Sequence, residues 1–107
     1  MGIYTIKPVK EVDAKEFQSL IRGKKVEVSP HALWHLSNQQ RKVFNVEELT
    51  RMVEKETPRK VYLQENERYA AYYRKSDGYR KLIIEVRDDK TIVVTFVDLG
   101  EIPKYKL

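Results

Sequence analysis

The residues able to do chemistry fall in two places, a histidine pair early in the chain and a basic, tyrosine-rich stretch in its second half. His31 and His35 lie four apart, so on a helix their imidazoles share one face, with Trp34 and Asn38 beside them. Two imidazoles at that spacing can converge on one ion, but zinc needs a third protein ligand and the nearby sequence signals none. The expectation is therefore no metal and no cofactor. His31 alone can serve as a general acid or base for phosphodiester cleavage, since its ordinary pKa lies near neutrality. The alternative is structural, a ring at a helix start that bonds a neighbouring loop. Metal-free RNA cleavage also needs groups that activate the 2′-hydroxyl and stabilise the phosphorane. Tyr72, Arg74, Arg80 and Lys81 are of the right types and cluster about Asp77-Gly78. With His31 they form the candidate catalytic set. Lys60, Tyr62, Arg68, Tyr79 and Arg87 are candidate RNA-binding groups, because bases stack on tyrosines and cations neutralise phosphates.

These residues must be positioned by a sheet. RKVYLQEN, ERYAAYYRK, YRKLIIEVRD and TIVVTFV, within residues 59–98, read as four strands rich in Val, Ile, Tyr and Thr. Only short turn signals separate them, which allows antiparallel neighbours and no crossover helix. Alternation places Val61, Leu63, Leu82, Ile84, Val86, Ile92, Val94 and Phe96 on one face, to be covered by another layer. Lys60, Tyr62, Gln64, Tyr79, Lys81, Ile83, Glu85, Arg87, Thr91, Val93, Thr95 and Val97 fall on the other. The second strand fits either way, with Arg68, Ala70, Tyr72 and Arg74 or with Tyr69, Ala71, Tyr73 and Lys75 on that polar face. Two readings of the face stand: a surface for RNA, or a solvated face whose long basic side chains cover apolar rings.

Ahead of the sheet the signals are mostly helical. Residues 1–12 read as an edge strand or arm, with Pro8 arguing against a central strand. Asp13 with Glu16 resembles a capping box, opening a helix over about 13–22 that Gly23 stops. Lys24 to Val28 is a short extended link or a strand. Ser29-Pro30 opens a second helix over about 30–40, and Asn45 with Glu48 a third over about 46–56 striped by Val46, Leu49, Met52 and Val53. The expected fold class is α+β: one domain whose helices over residues 13–58 pack on one face of a four-stranded antiparallel sheet, followed by an extended tail over residues 99–107.

The 107 residues suit one domain, and the absence of Cys excludes a disulfide framework and thiolate chemistry. No apolar run is long enough to span a bilayer and no signal peptide is evident, so the expected setting is cytoplasmic and away from membranes. A charged fraction of 35% without Cys is compatible with a thermophilic source. The net charge of +5 is uneven, since residues 58–87 carry eight basic and four acidic groups while residues 88–107 carry three and four. That excess sits with five of the seven tyrosines and suggests an anionic partner.

The Ser29-Pro-His-Ala32 helix start, a second helix with a Val/Glu/Leu stripe and a tyrosine-bearing meander together resemble the small RelE/BrnT-like toxin superfamily. The segments Phe17 to Val26, Tyr69-Ala-Ala-Tyr72 and Thr91 to Thr95 extend the likeness over about residues 13–98. Where that pattern carries Arg four residues after its His, this chain has His35. The resemblance implies a RelE-like sheet with a basic open face, a metal-free endoribonuclease acting on RNA, at times on the ribosome, and an antitoxin partner. A non-catalytic module for RNA or protein, or a homodimer joined through its tyrosines, remains the alternative.

Overall fold

A computed structural model of the protein describes residues 6–33 and 46–107. The chain runs β1 (Pro8–Val12), α1 (Ala14–Ile21), β2 (Lys25–Val28), a 3-10 turn (Pro30–Leu33), α2 (Val46–Lys55), β3 (Lys60–Gln64), β4 (Tyr69–Lys75), β5 (Gly78–Val86) and β6 (Lys90–Leu99). The strands form one sheet in the order β1-β3-β4-β5-β6-β2.

This corrects the expected fold. The class is α+β, but the sheet has six strands and is mixed, with two α-helices among the described residues. The N-terminal segments supply both edges. β1 pairs antiparallel with β3, and β2 pairs parallel with β6. A parallel pair needs a long connection, and here most of the chain lies between the two strands. Pro8 begins β1, the edge strand, where its missing donor costs no ladder bond. The helix expected over 30–40 is a 3-10 turn as far as Leu33. Its remainder, with Trp34, His35, Leu36 and Asn38, lies outside the described residues, as does Asn45.

Local signals explain the helices that do form. Asp13 caps α1, its carboxylate accepting from the Lys15 and Glu16 N–H groups at 3.1 and 3.2 Å. Gly23 follows the helix at φ +78°, a left-handed conformation that glycine adopts without strain. Asp13→Ala is expected to lower stability by about 1 kcal/mol, read as a shift of the urea midpoint at unchanged slope.

Phe17 and Ile21 of α1 and Leu49, Met52 and Val53 of α2 pack onto Val61, Ala71, Tyr73, Leu82, Ile84, Val93 and Phe96 of the sheet. Phe17 meets the Tyr69 ring at 5.3 Å between centroids. β4 is thereby settled: Tyr69, Ala71 and Tyr73 belong to the helix-covered core, and Ala70 and Tyr72 cluster with Tyr62 on the opposite side. β6 departs from simple alternation. Ile83 pairs with Thr95 and Ile84 with Val93, so Val94 is an extra residue. A bulge of this kind switches which side chains face the core. Val93 and Phe96 are buried under the helices, whereas Ile92 and Val94, expected there, line the opposite face beside Glu85.

Candidate functional site

The face away from the helices carries Lys60, Tyr62 and Gln64 from β3, Tyr72 and Arg74 from β4, and Tyr79, Lys81, Ile83 and Glu85 from β5. The C-terminal segment crosses it. Ile102 packs against the Tyr62, Ala70 and Tyr72 cluster. The Tyr105 ring stands edge-on to Tyr62 at 5.1 Å, and Tyr62 stands edge-on to Tyr72 at 6.1 Å. Tyr72 is consequently 1% exposed. Burial, and then the hydrogen bond to Tyr105, push its phenol far above the ordinary tyrosine range. The tail is thus no free arm, and it buries Tyr62 and Tyr72 without any second copy of the chain.

Lys81 lies beside this cluster, its Nζ 5.9 Å from the Tyr72 ring centroid. Burial lowers its pKa, and it makes no ion pair among the described residues. Arg74 lies over Tyr79, with Cζ 5.3 Å from the ring centroid, and donates to its hydroxyl at 3.2 Å. Arg68 donates twice to Glu85 at 3.3 Å, and Arg87 binds the other oxygen of the same carboxylate. Arg87, then Arg68, hold Glu85 below the usual carboxylate range against the opposing effect of burial. Lys60 pairs with Glu11 of the edge strand at 3.3 Å.

Arg80, grouped with the catalytic candidates by type, points to the other face. It is 3% exposed and donates to Asp98 at 2.7 and 3.3 Å and to Glu48 of α2 at 3.2 Å. It also covers the Phe96 ring at 5.5 Å. That arrangement locks α2 to the end of the sheet. His31 sits in the 3-10 turn after β2, exposed, its N–H donating to Ser29 Oγ at 3.2 Å. β2 and β4 are three strands apart in the sheet, a lateral separation of about 14 Å. The structure therefore brings Tyr72, Arg74, Tyr79 and Lys81 together and keeps Arg80 and His31 apart from them.

Two adjoining hollows open on the tyrosine face. One, of about 440 Å³, is bounded by Gln64, Asn66, Arg68, Lys81, Ile83 and Tyr105. The next, of about 330 Å³, runs past Arg68 and Glu85 to Ile92 and Pro30. Arg68 and Val94 belong to both, so they form one groove. A cleft of about 600 Å³ on the helix side is lined by Arg22, Lys24, Lys25 and Lys55. It lies at the C-terminal ends of both helices, whose carbonyl dipoles oppose an anion, and Lys24 is already bound to the Arg87 carbonyl at 2.7 Å.

Alternation identifies Tyr62, Lys81 and Tyr79 as neighbours on one face. It gives no sign of Tyr105, Ile102 or Asn66, which reach the site from a tail and a turn. No helix of the described residues is long and apolar enough to cross a membrane. No protein-family profile, curated protein or solved structure matches this chain. What is established is the class, a small α+β domain with a mixed six-stranded sheet whose second face is partly roofed by its own C-terminal segment.

Proposed function

We propose that the protein is a non-catalytic RNA-associated module that takes single-stranded RNA along the groove on the tyrosine face. The observation that carries this reading is that Arg74 and Lys81 stand on that face without a carboxylate partner among the described residues. Partial burial takes the Lys81 ammonium out of water, and a phosphate would return the favourable charge interaction it has lost. Lys104 and Lys106 on the crossing tail are exposed and add to the positive field.

The geometry favours binding over cleavage. In-line attack by a 2′-hydroxyl needs a base and an acid on either side of one phosphate. Here the Tyr72 phenol is buried beneath the C-terminal segment, Arg80 is neutralised on the opposite face, and His31 lies three strands away. The endoribonuclease and antitoxin readings rest on the family resemblance and draw no support from this arrangement.

The test is titration of a labelled single-stranded RNA at several salt concentrations, with a gel of the same mixtures. Each phosphate neutralised on a single strand contributes about −0.7 to the slope of log K against log salt. The double substitution Arg74→Ala, Lys81→Ala is expected to weaken binding and flatten that slope by about 1.4. An unchanged slope, or no binding by the parent at low salt, would remove the RNA assignment. Shortened RNA on the gel would return the choice to the ribonuclease.

A further inference from the structure

The geometry points to a mononucleotide subsite in the hollow between the β3–β4 turn, β5, β6 and the C-terminal segment, taking one nucleotide with its base against Tyr105 and its phosphate at Lys81 and Arg68. This rests on the RNA reading above and gives it a register.

The strongest sign is Gln64. It is 7% exposed, it borders the hollow, and its side-chain amide makes no hydrogen bond among the described residues. The Gln64 amide is not one of the fully buried unpaired groups, which among the described residues are Tyr73 Oη and Thr91 Oγ1, so water reaches it and a ligand can take that water's place. Gln64 offers both a donor and an acceptor, the pair needed to read a base edge. Asn66 stands on the rim. Its Oδ1 already accepts from the Arg68 N–H at 3.1 Å, which leaves its NH₂ group to donate.

The remaining walls supply what the rest of a nucleotide needs. Tyr105 is 40% exposed although it makes a T-shaped contact with Tyr62, so part of its ring is available for stacking. Ile83 and Val97 complete an apolar side. Lys81 brings a cation with no carboxylate of its own. Arg68 shares Glu85 with Arg87, so turning toward a phosphate would leave Glu85 still paired. The hollow, at about 440 Å³, has the size of a small-molecule site, and its walls are polar and apolar in nearly equal measure. An unpaired amide beside a free cation and an aromatic wall favours a base carrying a phosphate over a bare anion, which would leave Gln64 and Tyr105 unused.

The experiment titrates the full chain by NMR with the four nucleoside 5′-monophosphates, the four nucleosides and inorganic phosphate. One or more monophosphates are expected to bind about tenfold tighter than the corresponding nucleoside or phosphate alone. Lys81→Met should remove the advantage of the monophosphate over its nucleoside. Gln64→Leu should level the preference among the four bases, and Tyr105→Ala should weaken every nucleoside and nucleotide about tenfold while leaving phosphate unchanged. Melting curves establish that each variant is folded, and the parent titrations decide the matter if one is not. Equal binding of phosphate and monophosphates would reduce the site to a simple anion pocket and overturn the proposal. So would oligomer binding with no nucleotide binding, which leaves the RNA reading intact. Nucleotide binding without oligomer binding would uphold the pocket and end the RNA reading.

Discussion

Gly78→Ala is expected to destabilise the domain by about 3 kcal/mol, lowering its melting temperature by about 15 °C. Gly78 opens β5 with φ +152°, a region that residues with a Cβ rarely enter. A methyl group built there would lie 2.4 Å from the Leu99 carbonyl oxygen, and that oxygen is backbone. No side chain can rotate away to relieve the contact. Relief requires the end of β6 to move from β5 where Tyr79 pairs with Leu99. Leu99 also packs against the Tyr62 and Tyr72 cluster, so displacement there would loosen the seat of the tail. Gly23→Ala is the matched control. Gly23 has a positive φ but open space around it, so its cost should be near 1 kcal/mol, from backbone conformation alone. Thermal melts of both variants decide it. A Gly78→Ala variant that melts within about 2 °C of the parent would mean that the hairpin adapts freely.

Asp98→Ala is expected to cost about 3 kcal/mol near neutral pH, because it removes two of the three hydrogen bonds described from the buried Arg80 guanidinium to carboxylates. Glu48 remains, 3.2 Å from Arg80 Nη1. Arg80→Met should cost less. It removes the buried charge itself, fills the space against Phe96 with a flexible apolar chain, and leaves Asp98 partly exposed and still paired with Lys75 at 3.0 Å. The pair of variants also makes a pH prediction. Burial opposes the Asp98 charge, but hydrogen bonds from Arg80 and then Lys75 outweigh it and hold the carboxyl below the usual aspartate value. A carboxyl with a lowered folded pKa contributes stability that is fully present above its unfolded value, about 3.9, and is lost as pH falls through the folded one. The gap between parent and Asp98→Ala should therefore narrow as urea midpoints are taken from about pH 5 down to about pH 2. An equal gap at both ends, or an Arg80→Met variant less stable than Asp98→Ala, would show that the network does not hold α2 in the way described.

The amino-acid sequence by itself determined the local features. Asp13 ahead of α1, Gly23 behind it, the Leu49, Met52 and Val53 stripe and the strand stretches about Asp77-Gly78 all act within a few residues, so their signals stay readable in one dimension. Alternation also placed Tyr62, Tyr79 and Lys81 on one face, whereas Arg80, grouped with them by type, was assigned to the helix side by the structure, where it meets Asp98. Tertiary structure decided everything that depends on distant partners. Lys25–Val28 reads in sequence as an extended link or a strand, and it is a strand because β6, more than sixty residues on, offers it a parallel edge. The β6 bulge moved Ile92 and Val94 out of the core and Val93 into it, since one extra residue reverses a pattern whose period is two. The register of β4, balanced between two tyrosine faces, was set by where Phe17 and the helices could bury Tyr69 and Tyr73. The tail decided the site. Ile102 and Tyr105 return across the sheet because Tyr62 and Tyr72 present apolar surface that the helices, on the opposite side, cannot cover.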